Sequence, residues 1–199
     1  VGQATLMMDG EKEPKVVTRA EKIFKAADRC SRIVKSFLAL ARRKPPERRP
    51  VAINELVQSS LELLGFQIRT GDITVSLDLS PSLPEVTGDG DQLTQVVTNL
   101  ILNAAQALEG WNGPRRLTIH STAAGGHVLL TVADTGPGVP ADLRTRVFEP
   151  FFTTKTGKGG TGVGLSLCLN IVASHGGQLR IEDTPDGGAT FVVQLPALN

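Results

Sequence analysis

The sequence predicts an α+β fold, a two-layer α/β sandwich whose sheet is mixed but largely antiparallel, preceded by a long helix. Residues 73–79 alternate apolar and polar side chains, as a half-buried strand does, and residues 91–108 show the apolar spacing of an amphipathic helix. Two strands at 117–121 and 128–133 follow each other without a helix between them. This favours an antiparallel pair over a regular βαβ array. The glycine-free stretch 14–43 supplies the long helix.

The N-terminal helix is predicted from Pro14 to Arg43 and carries a narrow apolar stripe. Its apolar or small positions follow each other in steps of four and three, the spacing of a coiled-coil seam: Val16, Ala20, Ile23, Ala27, Cys30, Val34, Phe37 and Ala41. Such a seam favours a partner helix over packing on the chain's own domain. Because prolines end this helix, we interpret residues 1–46 as a helical hairpin whose first arm is largely missing. Residues 47–50 are then a linker and residues 51–199 a globular domain.

The globular domain alternates helices and strands. A first helix is expected from Asn54, whose side chain suits an N-cap, to Gly65, which suits a helix end. The strand at 73–79 and the helix at 91–108 follow, and then the two strands described above. Beyond them we expect a short helix near 142–148, a helix over about 163–175 and final strands at 179–181 and 189–195.

Composition and charge exclude several classes of protein. Twenty-one Lys and Arg against twenty Asp and Glu leave a net charge of +1, which gives no support to nucleic-acid binding through a large positive field. The two cysteines, Cys30 and Cys168, are far apart and indicate neither a disulfide framework nor a zinc site, so a cytoplasmic setting fits best. No apolar run approaches the roughly 18 residues of a membrane span, and we expect no membrane contact by this chain.

The second helix carries neutral amides beside its apolar stripe. Asn99 and Asn103 lie one turn apart, so their amides point the same way, and no charged residue occurs between Asp91 and Glu109. An uncharged helix face suits a ligand that brings its own charge, such as a metal-bound polyphosphate, and Mg²⁺ accepts amide oxygens. A merely polar surface is the alternative interpretation.

A strand end and a glycine-rich turn meet at Asp134–Gly138. An aspartate there can accept a hydrogen bond from an exocyclic amine, and Gly136 and Gly138 let the backbone approach a planar base. A plain turn is the alternative, and an aspartic-protease half is disfavoured because the chain offers no paired carboxylate. The pair Gly187-Gly188 similarly opens the last strand, where Thr190 could supply a hydroxyl.

Glycine is in excess, at 21 of 199 residues, and it is densest in the loop Gly157–Gly164. The unobstructed N–H groups of this loop, and the helix that begins near Val163, suit a phosphate. A Walker A loop is excluded because Val163 stands where that motif needs lysine. Gly157, Gly159 and Gly162 formally match the dinucleotide fingerprint, but no clear strand precedes them, which disfavours a Rossmann site.

Taken together and in this order, these segments resemble the catalytic ATP-binding domain of sensor histidine kinases, which has the Bergerat fold. The resemblance covers about Val51 to Leu195, and the preceding helix resembles the second helix of that family's dimerisation hairpin. Five segments are similar to the family's N box, first glycine box, F box, second glycine box and terminal glycine box, respectively: Asn99–Ala104, Asp134–Gly138, Phe148–Phe152, Gly160–Leu165 and Gly188–Thr190.

The resemblance implies a Mg²⁺-dependent protein histidine kinase that binds ATP, forms a homodimer through the hairpin and passes phosphate to a response regulator. It implies that Asn103 is the Mg²⁺ ligand and that Asp134 recognises the adenine amine. It further implies catalytic roles for Asn99 and Lys155, and a mobile lid anchored by phenylalanines. The other implied ATP-binding residues are Gly136, Gly138, Phe151, Phe152, Lys158, Gly160, Thr161, Gly162, Val163, Gly164, Leu165 and Thr190.

Two departures from the family pattern matter. None of the three histidines, His120, His127 and His175, lies in a phosphoacceptor box of the His-acid-x-x-x-Pro type, so we interpret them as structural. We therefore do not expect autophosphorylation by this chain alone. Gln106 stands where many relatives carry a basic residue that reaches the phosphates.

Three other functions stay open at this point. A hydrolysing ATPase of the same fold carries glutamate one turn before the metal asparagine, whereas this sequence has Asn99, whose amide cannot serve as a general base. A regulatory nucleotide-binding or dimerisation module would bind without catalysis. A kinase that phosphorylates serine on a partner is the third.

Overall fold

A computed structural model describes residues 47–154, 161–184 and 187–198 of the chain. Two 3-10 turns, Ala141–Leu143 and Arg146–Phe148, stand where one short helix is predicted. The predicted helix Pro14–Arg43 lies outside the described residues. The strands and α-helices, in chain order, are β1 (Arg49–Val51), α1 (Ile53–Thr70), β2 (Thr74–Leu79), β3 (Val86–Gly88), α2 (Gly90–Leu108), β4 (Arg116–Ala124), β5 (His127–Asp134), α3 (Gly164–Ser174), β6 (Gln178–Asp183) and β7 (Ala189–Pro196).

Five strands form the main sheet in the order β2-β4-β5-β7-β6. β2 and β4 pair in parallel, with Thr74 opposite Arg116, and the other three pairings in this sheet are antiparallel. The β4–β5 hairpin turns at Gly125 and Gly126, whose positive φ angles suit a tight two-residue turn. The predicted α+β sandwich with a mixed, largely antiparallel sheet is confirmed.

The sheet and the three described helices share one hydrophobic core. On β5, Val128, Leu130 and Val132 are buried while the residues between them are half-buried. Helix α2 contacts both α1 and α3, and its buried side chains recur at helical spacing. None of the described helices is long and apolar enough to cross a membrane. The packing of α2 against β5 provides the scaffold on which the candidate site is built.

The first helix has other ends than the sequence suggests. It begins at Ile53 and continues through Gly65 to Thr70, so the expected cap at Asn54 and the expected end at Gly65 are both wrong. The additional turns place Ile68 in the core. Burial of such a side chain contributes roughly 2 kcal/mol, which exceeds the roughly 1 kcal/mol that a glycine costs inside a helix.

The Asn54 side chain links α1 to the sheet. Its Nδ2 donates a hydrogen bond to the carbonyl oxygen of Ser80 at 2.8 Å, and its Oδ1 accepts one from the Ser121 hydroxyl at 2.8 Å. These partners lie just after β2 and within β4, respectively. The Asn54 side chain therefore forms hydrogen bonds to the sheet instead of capping α1.

The structure contains a small antiparallel sheet of β1 and β3 that the sequence does not predict. Arg49 pairs with Gly88 and Val51 with Val86. Each strand has three residues, too few to show the alternation by which longer strands are recognised. This sheet lies immediately before α2 and leads the chain into its N-cap.

Candidate functional site

The site is built on a polar face of α2, which begins at a well-defined N-cap. The Asp89 Oδ1 accepts a hydrogen bond from the backbone N of Gln92 at 3.1 Å. Buried apolar side chains along α2 fix the rotation of the helix against the sheet. Asn99 and Asn103 therefore keep half-buried positions one turn apart, as the sequence predicts.

Glycines from two other segments mark the two ends of this face. A Cβ placed on Gly164, at the start of α3, would lie 3.8 Å from the Cγ and Oδ1 atoms of Asn99. A Cβ placed on Gly136, in the turn after β5, would lie 3.3 Å from the Cβ of Ala107. Since Asn99, Asn103 and Ala107 follow each other at one-turn intervals, Asn103 lies between the two contacts, which are about 12 Å apart along the helix axis.

The turn after β5 holds Asp134 inside the protein. Asp134 is 3% exposed, and the backbone N of Gly136 donates a hydrogen bond to its Oδ1 at 2.8 Å. A buried carboxylate needs such donors, and a carboxylate has room to accept several hydrogen bonds. The end of β5 therefore presents an acceptor in a fixed position.

Two more glycines close around Asp134. Gly188 has a φ of +93°, and a Cβ placed on it would overlap the carbonyl oxygen of Asp134. A Cβ on Gly138, whose φ is +74°, would lie 2.7 Å from the carbonyl oxygen of Gly188. The turn 134–138 and the entry to β7 thus pack backbone against backbone, which only glycine permits.

Thr190 lies close to this turn on the neighbouring strand. It is opposite Ala133 in the β5–β7 pairing and is 9% exposed. Its hydroxyl oxygen lies 2.7 Å from the hydroxyl oxygen of Thr184. The first and the terminal glycine-rich segments of the sequence are therefore brought together at the Asp134 end of α2.

The segment Thr161–Leu165 leads into α3. The backbone N of Phe151 donates a hydrogen bond to the Gly162 carbonyl oxygen at 2.8 Å, and a Cβ on Gly162 would overlap the backbone of Phe151. Val163 is buried, and its carbonyl oxygen accepts from the backbone N of Leu167 at 3.0 Å. These contacts anchor the start of α3, whose first N–H groups carry the partial positive charge that suits an anion.

Phe151 and Phe152, which precede this segment in the chain, differ in exposure and backbone conformation. Phe151 has a φ of +68° and is 75% exposed. Phe152 is half-buried, and the Arg146 guanidinium lies 4.5 Å from the centroid of its ring. Phe151 thus contacts Gly162 through its backbone, whereas the Phe152 side chain packs under Arg146. Three residues assigned to phosphate binding from the sequence lie outside the described residues: Lys155, Lys158 and Gly160.

Two buried side chains between α2 and α3 receive no site role from the sequence. Cys168 is fully buried in α3, with its Sγ 3.9 Å from the carbonyl oxygen of Val96. His175 has its Nδ1 2.7 Å from the carbonyl oxygen of Ile171, while its Nε2 accepts from the backbone N of Asp89 at 3.0 Å. This pairing assigns the imidazole proton to Nδ1. Both residues stand in apolar or helix-end segments, where no local pattern distinguishes them from ordinary core residues.

Known proteins match this chain in sequence and in fold. The family described as histidine kinase-, DNA gyrase B- and HSP90-like ATPase matches residues 88–199. The sensor histidine kinase ZraS of Escherichia coli (strain K12) is 37% identical over 177 residues, which cover 89% of this chain. The chain spans 37% of the length of ZraS.

Two solved structures share the fold. Full-length ShkA in complex with AMPPNP has a TM-score of 0.78 and 27% identity, and the match covers 100% of this chain and 42% of ShkA. The histidine kinase ThkA in complex with the response regulator protein TrrA has a TM-score of 0.76 and 26% identity, and the match covers 99% of this chain and 56% of ThkA. The chain therefore belongs to the histidine kinase-, DNA gyrase B- and HSP90-like ATPase family, and its globular domain is an ATP-binding domain of the sensor histidine kinase type.

Proposed function

We propose that this chain binds Mg-ATP along α2 and acts as the catalytic domain of a kinase that transfers the γ-phosphoryl group to a histidine. The observation that carries the proposal is the convergence of two glycine-containing segments on one face of α2. At one end Gly164 lies against Asn99, and at the other Gly136 lies against Ala107 beside the buried Asp134. An elongated ligand with a base at one end and phosphates at the other suits this arrangement.

The Asp134 end would take the adenine. An ionised carboxylate accepts hydrogen bonds but donates none, so it favours the exocyclic amine of adenine over the carbonyl oxygen of guanine. Gly136 and Gly138 carry no side chain that would keep a planar base away from the backbone. Thr190, on the adjacent strand, offers a hydroxyl to the same end.

The α3 end would take the phosphates and Mg²⁺. Asn103 supplies an amide oxygen, a donor that Mg²⁺ accepts, and phosphate oxygens and waters would complete its coordination. Among the residues that the structure describes, no group of three or more His, Cys, Asp or Glu residues could hold a metal by itself. This suits an ion that is bound together with the nucleotide. The first turn of α3, from Gly164, offers backbone N–H groups to the phosphates.

Phosphoryl transfer needs an in-line arrangement of phosphate and acceptor and neutralisation of charge. Mg²⁺, when bound, supplies much of that neutralisation, and we assign Asn99 and Lys155 the positioning of the γ-phosphate. The acceptor histidine would come from a helical hairpin, because no histidine of this sequence lies in an acceptor box. The proposal includes a cytoplasmic homodimer and a response regulator that receives the phosphate, as TrrA forms a complex with ThkA.

Calorimetric titration with Mg-ATP tests the site. Asn103→Ala should abolish Mg²⁺-dependent binding, because the metal loses its protein ligand. Asp134→Asn should weaken ATP binding and reduce the preference for ATP over GTP. Gln92→Ala removes an amide from the same helix two turns before Asn99, and as the control it should bind like the parent. If both site variants also bind like the parent, the site assignment is wrong.

Transfer is tested by adding a helical hairpin that contains an acceptor box, together with ATP labelled at the γ-phosphate. Acid-labile label on the hairpin histidine supports the kinase. Acid-stable label indicates a serine kinase, and steady ADP release without the hairpin indicates an ATPase. ATP binding without any label on the hairpin indicates a passive regulatory module.

A further inference from the structure

The outer face of α1 carries an apolar pair that the described part of the chain leaves uncovered. Leu63 and Phe66 lie three residues apart on the helix, and each is 71% exposed. Among the described residues five large apolar side chains are exposed, and these two are the pair that shares one helix. An exposed apolar pair on a helix face is typical of a surface that another element covers.

Two carboxylates flank this apolar pair. Glu55 and Glu62 are exposed and lie seven residues apart, so they share one face of α1, and Phe66 follows Glu62 by four residues. Within the described ranges neither carboxylate has an ion-pair partner. Arg69 stands in the last turn of α1, where its Nη1 would lie 3.1 Å from a Cβ placed on Gly65. The outer face is therefore acidic over the first three turns of the helix.

Charge is divided unevenly along the chain. Residues 14–43 contain nine Lys and Arg against two Asp and Glu, whereas residues 51–199 contain eight against fourteen. In the predicted N-terminal helix, eight of the nine basic residues lie opposite the apolar seam: Lys15, Lys22, Lys25, Arg29, Arg32, Lys35, Arg42 and Arg43. The helix can therefore turn this basic face toward an acidic surface while its seam stays free for a partner helix.

The linker ends close to the start of α1. The backbone N of Glu47 donates a hydrogen bond to the Asp89 Oδ2 at 3.3 Å, and the Arg48 Nη2 donates to the carbonyl oxygen of Ser174 at 2.6 Å. Strand β1 follows and leads directly into α1. Four residues span at most about 14 Å, so Arg43 lies within that distance of Glu47. The end of the predicted helix is therefore held near the first turns of α1.

We propose that the outer face of α1 is a docking surface for the basic face of the predicted helix Pro14–Arg43 of the same chain. The aliphatic stems of its lysines and arginines cover Leu63 and Phe66, and their charged ends meet Glu55 and Glu62. Charge complementarity and the short linker both select this helix as the occupant. Its docking fixes the orientation of the globular domain on the hairpin, which in the proposed function supplies the acceptor histidine.

The docking surface is separate from the candidate site. Helix α1 meets α2 at Ser60, whose hydroxyl oxygen lies 3.0 Å from that of Thr98. Helix α3 meets α2 at Asn99, which Gly164 approaches. Docking on α1 therefore leaves the contact between α2 and α3 uncovered and needs no nucleotide, so it is tested without Mg-ATP.

A nitroxide spin label on the predicted helix tests the contact in the full 199-residue chain. Ser36→Cys, on the basic face, carries the label in a Cys30→Ser background, since Cys168 is fully buried. The label should broaden the NMR amide signals of α1 around Leu63 and spare those of β6, at the other edge of the sheet from β2. Broadening should decrease in about 1 M salt, where charges are screened beyond about 3 Å. Sharp α1 signals at low salt overturn the proposal.

Charge reversal tests which surface is used. Glu62→Lys should remove the broadening, whereas Asp142→Lys makes the same charge change at an exposed position in the first 3-10 turn and should retain it. Phe66→Ser should also reduce the broadening, and because Phe66 is 71% exposed the variant should fold. Equal effects of Glu62→Lys and Asp142→Lys overturn the proposal, since net charge and not this face would then hold the helix.

Mixing two preparations identifies the occupant. A spin-labelled chain is added to an isotope-labelled chain that carries no spin label. Broadening of α1 that appears only in this mixture shows that a second copy fills the face, and it overturns docking within one chain. A chain that shows the contact but fails to bind Mg-ATP contradicts the proposed function and leaves the docking surface standing.

Discussion

The two ends of the candidate site are held in different ways. At the Asp134 end, the carboxylate is 3% exposed and the turn packs backbone against backbone on Gly188. At the α3 end, Phe151 is 75% exposed and its backbone packs against Gly162, and both residues have positive φ angles. The Asp134 end is therefore held by close backbone packing, whereas the α3 end depends on one backbone contact, in which Phe151 is strained at its positive φ and Gly162 is not.

This difference suits a nucleotide whose base is unchanged by the reaction and whose phosphates are altered. In the proposed function, an end held by close packing would contribute affinity for the base without a cost of ordering at the moment of binding. In the same proposal the α3 end takes the phosphates and would have to admit an acceptor and release a product, and such steps commonly involve loop movement. We therefore expect substitutions at the two ends to differ in how far they lower the free energy of unfolding. We also expect them to differ in whether they weaken binding of adenosine or only of Mg-ATP.

Gly188→Ala should have the largest effect. Its φ of +93° is strained for any other residue, and the added Cβ would overlap the Asp134 carbonyl oxygen. We expect the free energy of unfolding to fall by about 3 kcal/mol or more, because backbone must move. Binding of both Mg-ATP and adenosine should be lost with the shape of the Asp134 turn. Chemical denaturation and calorimetric titration measure the two effects.

Gly187→Ala is the matched control for Gly188→Ala. Gly187 has a φ of +82°, but nothing lies within 4 Å of a Cβ placed on it. Backbone strain alone should cost about 1 kcal/mol there and leave nucleotide binding near that of the parent. Equal losses in the two variants would show that strain explains both, and the close packing around Asp134 would then not be what makes this end rigid.

Gly162→Ala should disrupt the contact between Gly162 and Phe151 at the α3 end. Its loss in the free energy of unfolding should be smaller than that of Gly188→Ala. Its φ of +67° strains alanine by about 1 kcal/mol, and the added Cβ would overlap the Phe151 backbone, so we expect a total loss of about 2 kcal/mol. Mg-ATP binding should weaken by roughly tenfold or more, about 1.4 kcal/mol. Adenosine binding should persist, because the Asp134 end is intact.

The control for Gly162→Ala is Gly125→Ala, in the β4–β5 turn. Gly125 has a φ of +58° and open space around a Cβ, and its turn lies at the other end of β5 from Asp134. This variant should lose about 1 kcal/mol of stability and no affinity for the nucleotide. If Gly162→Ala loses adenosine and Mg-ATP in equal proportion, the two ends of the site are not independent.

Local patterns predict much of the fold and the α2 side of the site. The helical spacing of residues 91–108 and the alternation in the strands depend on neighbours in sequence, and the structure retains both. Asn99 and Asn103 share a face for the same reason. Asp134 is placed correctly because a strand end followed by glycines is itself a local signal.

Contacts between distant segments account for what the sequence does not predict. Gly65 stays inside α1 because Ile68 is buried against the rest of the core, and Asn54 binds residues of two strands instead of capping. The close backbone approach of Gly188 to Asp134 joins segments far apart in the chain. Cys168 also contacts a distant segment, since its Sγ lies near the carbonyl oxygen of Val96. The apolar pattern of its helix indicates only a small core residue at this position.

Phe151→Gly should have the smallest effect and the opposite sign. At a φ of +68° a phenylalanine is strained by roughly 1–2 kcal/mol, and its side chain is 75% exposed, so its removal sacrifices little buried surface. Glycine relieves the strain but loses more backbone entropy on folding, and we expect a net gain of roughly 0.5–1 kcal/mol in the free energy of unfolding. Phe152→Gly is the control and should lose stability, because Phe152 is half-buried under Arg146 and has no positive φ. If Phe151→Gly gains stability while phosphate transfer to an added hairpin falls, the strained and exposed ring is retained for function. A loss of stability in Phe151→Gly would instead show that the ring packs against the protein, and the α3 end would be as rigid as the Asp134 end.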